Sequence, residues 1–298
     1  MPNEATERWT VGRLLSWTAD FLKKKGSESP RLDAEVLLAH VLEWPRVSLY
    51  IHFEDEVGER AKATYRELVR KRSEGEPVAY LIGRKEFFSL PFLVSCDVLI
   101  PRPDTETLVV AALDFLKGKE GPRVVDVGTG SGCLALAIAK HHVSARVIAT
   151  DLSEKAIAIA TQNAHKLEVT ERVEFRQGDL LTPVVNELPF DLIVSNPPYI
   201  PSDDIPNLEP GVRDFEPHLA LDGGIDGLRI VERLIKQAAS LLVEGGSLIL
   251  EIGSAQEMPV RSAVEANGNF VLAPTIRDAA NHPRVIRAIF QKWESLGL

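Results

Sequence analysis

Apolar positions recur at helical spacing in three stretches near the start of the chain. Val11, Leu14, Leu15, Thr18, Phe21 and Leu22 share one face of residues 7–24, and Lys23-Lys24-Lys25-Gly26 reads as a last turn with a glycine stop. Val36, Leu37, Leu38 and Val41 repeat the pattern over residues 32–42, and Tyr65, Leu68 and Val69 over 59–72. Three short helices predict a small bundle, assigned to residues 1–84. The pattern suits a scaffold and a substrate-docking module equally.

The period then changes. Glu86-Phe87-Phe88-Ser89-Leu90-Pro91-Phe92-Leu93-Val94 reads as a hairpin, part of a linker over 85–100. After Ile100-Pro101-Arg102-Pro103, Asp104 is expected to N-cap a helix whose first turn Glu106 also favours. Beyond Arg123, short apolar runs alternate with amphipathic ones. Strands are expected over 124–127, 147–150, 173–175, 190–194, 247–251, 270–272 and 285–290. Helices are expected up to Lys140 and over 153–166, 228–242 and 255–266. Such alternation predicts an α/β domain, residues 101–298, with a mostly parallel sheet covered on both faces.

Three motifs fall at the ends of these strands, where open parallel sheets bind ligands. Asp126-Val127-Gly128-Thr129-Gly130-Ser131-Gly132 follows a strand and opens a helix, so its glycines bring backbone N–H groups against a ligand. Asp151 ends the next strand, where an acid accepts both hydroxyls of a ribose. A nicotinamide fingerprint looks similar, but Cys133 stands where its third glycine belongs. Asp179, in Gln177-Gly178-Asp179-Leu180, is placed to accept from an adenine amino group, with Leu180 packing on the base. The pattern points to an adenosine-containing cofactor.

The third motif is Ser195-Asn196-Pro197-Pro198-Tyr199. Two prolines stiffen the turn and remove two donors. The Asn196 side-chain oxygen and the Pro197 carbonyl remain as acceptors, beside the Tyr199 ring. That suits a planar –NH₂ group, which has two N–H bonds and a flat body. Its nitrogen is a poor nucleophile, so orientation is what the protein supplies, worth about 7–11 kcal/mol in well-aligned systems. An adenosine cofactor beside a planar nitrogen implies methyl transfer from S-adenosylmethionine.

Composition narrows the picture. Lys and Arg total 34 and Asp and Glu 43, a net charge of −9. Residues 1–90 hold 15 of each sign, so the whole excess lies in residues 91–298, with 19 basic and 28 acidic. An acidic catalytic part argues against holding a phosphate backbone. No apolar run is long enough to cross a bilayer, and residues 1–9 carry no secretory h-region. Cys96 and Cys133 build no disulfide framework, which suits the cytoplasm. The seven histidines show no metal-ligand spacing, and no metal is expected. Cys133 is expected as a small core residue, and His141-His142 as a helix C-terminus.

The order Asp126–Gly132, Asp151, then Asn196-Pro197-Pro198-Tyr199 resembles class I S-adenosylmethionine-dependent amino-methyltransferases. More narrowly, the chain resembles the HemK/PrmC family, which methylates the glutamine amide of the GGQ motif in peptide-chain release factors. Pro77-Val78-Ala79-Tyr80-Leu81-Ile82-Gly83, Leu99-Ile100-Pro101-Arg102-Pro103-Asp104-Thr105-Glu106, Glu216-Pro217, Ala220-Leu221-Asp222-Gly223-Gly224 and Asp226-Gly227-Leu228 carry the narrower likeness. The resemblance implies a seven-stranded sheet with its last strand pair antiparallel, and a helical N-terminal domain that helps to bind the release factor. It implies that Gly128, Thr129, Gly130, Ser131 and Gly132 face the methionine end of the cofactor. Asp151 would bind ribose, and Asp179 and Leu180 would flank adenine. Asn196, Pro197, Pro198 and Tyr199 would hold the glutamine amide, Asn196 also lying near the cofactor. The Pro101–Glu106 stretch would close over the pocket. Where the family has glycine near the C-terminus, this chain has Asn281, a residue that tolerates left-handed backbone. The same motif serves adenine amines, so a DNA or RNA adenine methyltransferase is the alternative. Glutamine methylation of a ribosomal protein uses the same chemistry.

Overall fold

A computed structural model describes residues 8–292. The expected helix start at Glu7, and most of the stretch 1–9 read as lacking a secretory h-region, fall on residues 1–7, outside the described part. The chain forms two compact units. One comprises residues 1–83 with 210–215, the other residues 84–209 with 216–298.

In the first unit α1 (Val11–Lys24) starts where Thr10 accepts from the Arg13 N–H, and Gly26 follows its end in the left-handed region. Pro30 and Glu59 open α2 (Pro30–Leu42) and, after the short α3 (Ser48–Ile51), α4 (Glu59–Ser73). A fifth helix, α5 (Val78–Ile82), is capped by Gly83. The sequence pattern foresees three of these five, because α3 and α5 are too short to show a period. Leu15, Leu22, Leu37, Leu38, Leu49 and Tyr65 form the core, and the Tyr65 hydroxyl donates to the Ala34 carbonyl at 3.1 Å.

The second unit opens with a hairpin, β1 (Arg84–Phe87) and β2 (Leu90–Leu93). Its turn residues Phe88 and Ser89 have φ of 50° and 58°, the hand that matches strand twist. A short 3₁₀ turn (Pro103–Thr105) leads into α6 (Glu106–Leu116). Asp104 is therefore not the N-cap: Pro103 starts the turn a residue earlier, and the Asp104 carboxylate pairs with Arg284 at 3.1 Å.

There follow β3 (Arg123–Val127), α7 (Cys133–His141), β4 (Arg146–Asp151), α8 (Glu154–Lys166), β5 (Val173–Gln177) and β6 (Phe190–Ser195). After β7 (Ile200–Pro201), residues 210–215 with α9 (Pro210–Arg213) group with the first unit. The chain resumes with β8 (Asp222–Gly224), α10 (Arg229–Ala238), β9 (Leu242–Glu251), α11 (Glu257–Asn267), β10 (Phe270–Leu272), β11 (Ile276–Arg277) and β12 (Pro283–Phe290). The helix expected over 228–242 stops at Ala238, because Leu241 turns back onto the Ala238 carbonyl and Leu242 joins β6.

The main sheet runs β10-β12-β9-β6-β3-β4-β5, with β11 beside β12. Strands β9 to β5 are parallel, while β12 and β10 are antiparallel to their neighbours. Alternation along β3 sends Val124 into the layer under α6 and α7, and Val125 and Val127 into the layer under α10 and α11. A sheet apolar on both faces leaves its polar residues at strand ends. The site lies there.

Candidate active site

A cleft of about 300 Å³ opens at the C-terminal ends of β3, β4, β5 and β6. The glycine loop forms its floor. Gly128 and Thr129 both donate backbone N–H bonds to the Thr150 carbonyl, at 2.9 and 3.0 Å, which draws the loop onto β4. Gly128 and Gly130 have φ of 71° and 56°, and a Cβ on either would meet no protein atom within 4 Å. Those glycines answer to backbone conformation and to whatever enters the cleft, not to packing. Gly132 differs: its Cβ would press on Leu136 and Ala160.

Beneath the loop lies Asp126, fully buried. Its Oδ2 accepts from the Thr129 hydroxyl at 2.6 Å and from the Ala135 N–H at 3.1 Å, while Oδ1 has no partner. Burial pushes its carboxyl up to about 7. Asp126 thus ties strand, loop and helix together.

Asp151 joins the loop directly. Its Oδ2 accepts from the Gly130 N–H at 2.8 Å and its Oδ1 from the Ser153 N–H at 2.9 Å. Burial raises its carboxyl, and those N–H bonds oppose the rise. Beyond it lie Asp179 and Leu180. Asp179 is half exposed and its Oδ2 pairs with Arg233 of α10. Leu180 sits at φ 50°, a conformation costly for leucine, and its carbonyl accepts from Thr150 Oγ1 at 2.9 Å.

At the end of β6, the Asn196 side-chain N–H donates to Thr105 Oγ1 at 3.2 Å. Asn196 and Pro198 line the cleft, whereas Pro197 and Tyr199 do not. Tyr199 is pinned from behind: its carbonyl accepts from Gln256 Nε2 at 2.9 Å. Gly227 lies so close that a Cβ there would stand 2.3 Å from that oxygen, which explains the glycine in Asp226-Gly227-Leu228. Burial, then the Glu251 carboxylate, push the Tyr199 phenol up to about 12.

Of the residues read from sequence, Gly128, Thr129, Gly130, Ser131, Asp151, Asp179, Leu180, Asn196 and Pro198 therefore share one cleft, while Gly132, Pro197 and Tyr199 stand behind it. Thr105, Arg102 and Cys133 also line it. Arg102 forms an ion pair with buried Glu216, joining two segments that line the cleft. Cys133, expected in the core, is half-buried at the cleft wall, and burial of the thiol pushes it up to about 12, which disfavours the thiolate. Sequence reasoning missed Glu251, a buried acid ending β9 beside the Asn196 strand. Its signal was visible: an acid closing an apolar strand. Among the described residues, no group of three or more His, Cys, Asp or Glu gathers to hold a metal, and no helix is long and apolar enough to cross a membrane.

This strand order, with a glycine loop after β3 and an acid ending β4, defines a class I methyltransferase. Residues 13–83 match the family model of the PrmC N-terminal domain, and residues 104–206 that of the methyltransferase small domain. The release factor glutamine methyltransferase of Rhodopirellula baltica is 44% identical over 282 residues, covering 93% of this chain and 95% of that one. Its counterpart in Geobacter sulfurreducens is 40% identical, over 95% and 98% of the two chains. The hMettl16 catalytic domain, solved with the MAT2A 3′UTR hairpin 6, shares the fold at a TM-score of 0.57. It is 13% identical, over 78% of this chain and 84% of that one. The chain belongs to the release factor glutamine methyltransferase family.

Proposed function

We propose that this protein methylates the side-chain amide nitrogen of the GGQ glutamine in peptide-chain release factors, with S-adenosylmethionine as donor. The setting of Asn196 carries the reading. One of its amide N–H bonds goes to Thr105, which favours its oxygen as the acceptor offered to the cleft. An acceptor there suits a substrate –NH₂.

The residues fit the donor. The Ser131 hydroxyl is buried without a partner, Asp151 keeps lone pairs beyond its two N–H bonds, and the cleft has open space at Gly128 and Gly130. Gly128 to Ser131 would hold the methionine end, Asp151 the ribose, and Asp179 and Leu180 the adenine, with Gly132 packing the loop onto its helix. S-adenosylmethionine supplies a methyl group on a positively charged sulfur. On the protein side, Asn196 Oδ1 would accept an amide N–H bond and help to aim the nitrogen lone pair, with Pro198 shaping the wall and Pro197 and Tyr199 stiffening it. The nitrogen gains one methyl group and gives up one proton to water.

We assign residues 1–84 a part in holding the release factor, with 85–100 as the linker to a catalytic part over 101–298. Release factors act in the cytoplasm, where two unpaired cysteines are at home.

The test is transfer of labelled methyl to a release factor and to its GGQ Gln→Ala variant. Label is expected in the first alone. Equal labelling of both removes the proposed acceptor, and labelling of DNA or RNA instead moves the acceptor to an adenine amine.

A further inference from the structure

An asparagine amide can hold a substrate amine only if its oxygen, not its nitrogen, faces the substrate. The two ends are nearly equal in shape. Turned over, Asn196 would present two donors to a group that is itself a donor. Its setting is decided by Thr105, whose Oγ1 accepts from Asn196 Nδ2 at 3.2 Å. A hydroxyl has one proton and can give it in either direction. If Thr105 gave that proton to Asn196, it would draw the amide oxygen back and turn the nitrogen outward. Thr105 stays an acceptor only while its proton is held elsewhere.

Glu251 supplies the place. It is the last residue of β9, and Leu250 before it pairs with Ser195, the residue before Asn196. Thr105 and Glu251 are each 1% exposed. Glu251 Oε2 has no hydrogen-bond partner, and the Thr105 hydroxyl favours the charged form of the carboxyl. Glu251 does not line the cleft, so it does not touch substrate or cofactor.

We propose that Glu251 is a positioning residue: its carboxylate accepts a hydrogen bond from the Thr105 hydroxyl, and Thr105 thereby holds Asn196 with its oxygen toward the acceptor nitrogen. The inference rests on the amide-clamp reading of Asn196 given above.

Four charged or titratable groups face Glu251: the Cys133 thiol of α7, whose charged form Glu251 disfavours, and three that act on the carboxyl. Arg284 of β12 favours its ionised form and Asp104 opposes it. Tyr199, after β6, favours it through its hydroxyl. Arg284 is itself shared with Asp278 at 3.0 Å and Asp104 at 3.1 Å, so Glu251 does not have that charge to itself. Burial is the largest influence and pushes the carboxyl up to about 7. Once protonated, Glu251 becomes a donor toward Thr105, and the hydroxyl proton is released toward Asn196. The clamp then weakens as pH falls through neutrality.

The experiment compares wild type, E251Q, T105A, T105S and the E251Q/T105A double variant in methyl transfer to a release factor from pH 5.5 to 8.5. S-adenosylmethionine binding is measured by calorimetry and folding by circular dichroism. E251Q and T105A are expected to lose about 100-fold in kcat, the scale of a slightly misplaced reacting group. Cofactor affinity should hold within about twofold and T105S within about threefold of wild-type kcat, since only the hydroxyl is needed. The double variant should be no slower than T105A, because both act on one group. Wild-type kcat should fall with acid around pH 7, and the fall should vanish in E251Q. An unchanged pH profile in E251Q, or losses that multiply in the double variant, overturns the proposal. Should E251Q fail to fold, T105A against T105S decides, and equal activity of those two overturns it. If wild type labels another acceptor, the release-factor reading fails by itself, and the same variants are compared on that acceptor.

Discussion

Asp126 and Glu251 are acids that β3 and β9 carry into a dry interior. Burial raises both carboxyls to about 7, well above their usual range. A raised folded-state value means that the native protein binds the proton more tightly than the unfolded chain does. The stability from each group is complete below the unfolded value, near 4, and is lost as pH rises through about 7. The slope reaches at most about 1.4 kcal/mol per pH unit per group. Asp126→Asn keeps an oxygen for Thr129 and Ala135 but cannot ionise. Urea unfolding from pH 5 to 8.5 should show wild type losing stability relative to Asp126→Asn. A difference that does not change with pH would mean an unshifted carboxyl.

At the scale of elements, the sequence makes the sheet legible and leaves its ties hidden. Apolar runs locate β3, β4 and β6, because a strand buried on both faces has no other composition open to it. Asn163 has no such signature, being one polar residue within the amphipathic α8. It is fully buried, and its Nδ2 donates to the Leu93 carbonyl at 3.0 Å and the Ser131 carbonyl at 2.9 Å. Its Oδ1 accepts from the Leu93 N–H at 2.7 Å. One side chain thus fastens β2 to the glycine loop, over separations of 70 and 32 residues that no local pattern reports. Asn163→Ala strands buried backbone groups that cost about 1–3 kcal/mol each, so its urea midpoint should drop. Asn163→Asp keeps the acceptor for Leu93 but turns an oxygen toward two carbonyls. At pH 8 it should be less stable than the alanine variant. The reverse order would show that Oδ1, not Nδ2, is the important end. The Asp104 cap was misread for a related reason: its partner Arg284 lies far along the chain, and cap statistics see only neighbours.

For the whole molecule, the charge distribution separates substrates that the Asn-Pro-Pro-Tyr chemistry treats alike. Residues 1–90 balance, and the excess of −9 falls on the part that builds the cleft. That contrast was open to a reader of the sequence, as were the glycine loop, Asp151 and Asn196. The return of residues 210–215 to the N-terminal unit was not, since nothing local marks a segment that belongs elsewhere. A nucleic-acid substrate is held by neutralising phosphates, and its affinity falls with salt in proportion to the contacts made. With six to ten contacts the loss between 50 and 200 mM salt is roughly 10³–10⁵-fold. An acidic surface cannot displace the cations condensed on a polyanion, and protein substrates meet it through hydrogen bonds and apolar contacts that salt screens little. The KM for a release factor should therefore change by no more than about fivefold over that range, with kcat constant. Methyl transfer to a nucleic acid, with a steep, linear rise of its log KM with log salt, would instead give the acidic unit a polyanion to hold. The adenine-amine reading would then displace the glutamine one, although the cleft, the clamp and the methyl chemistry would all stand.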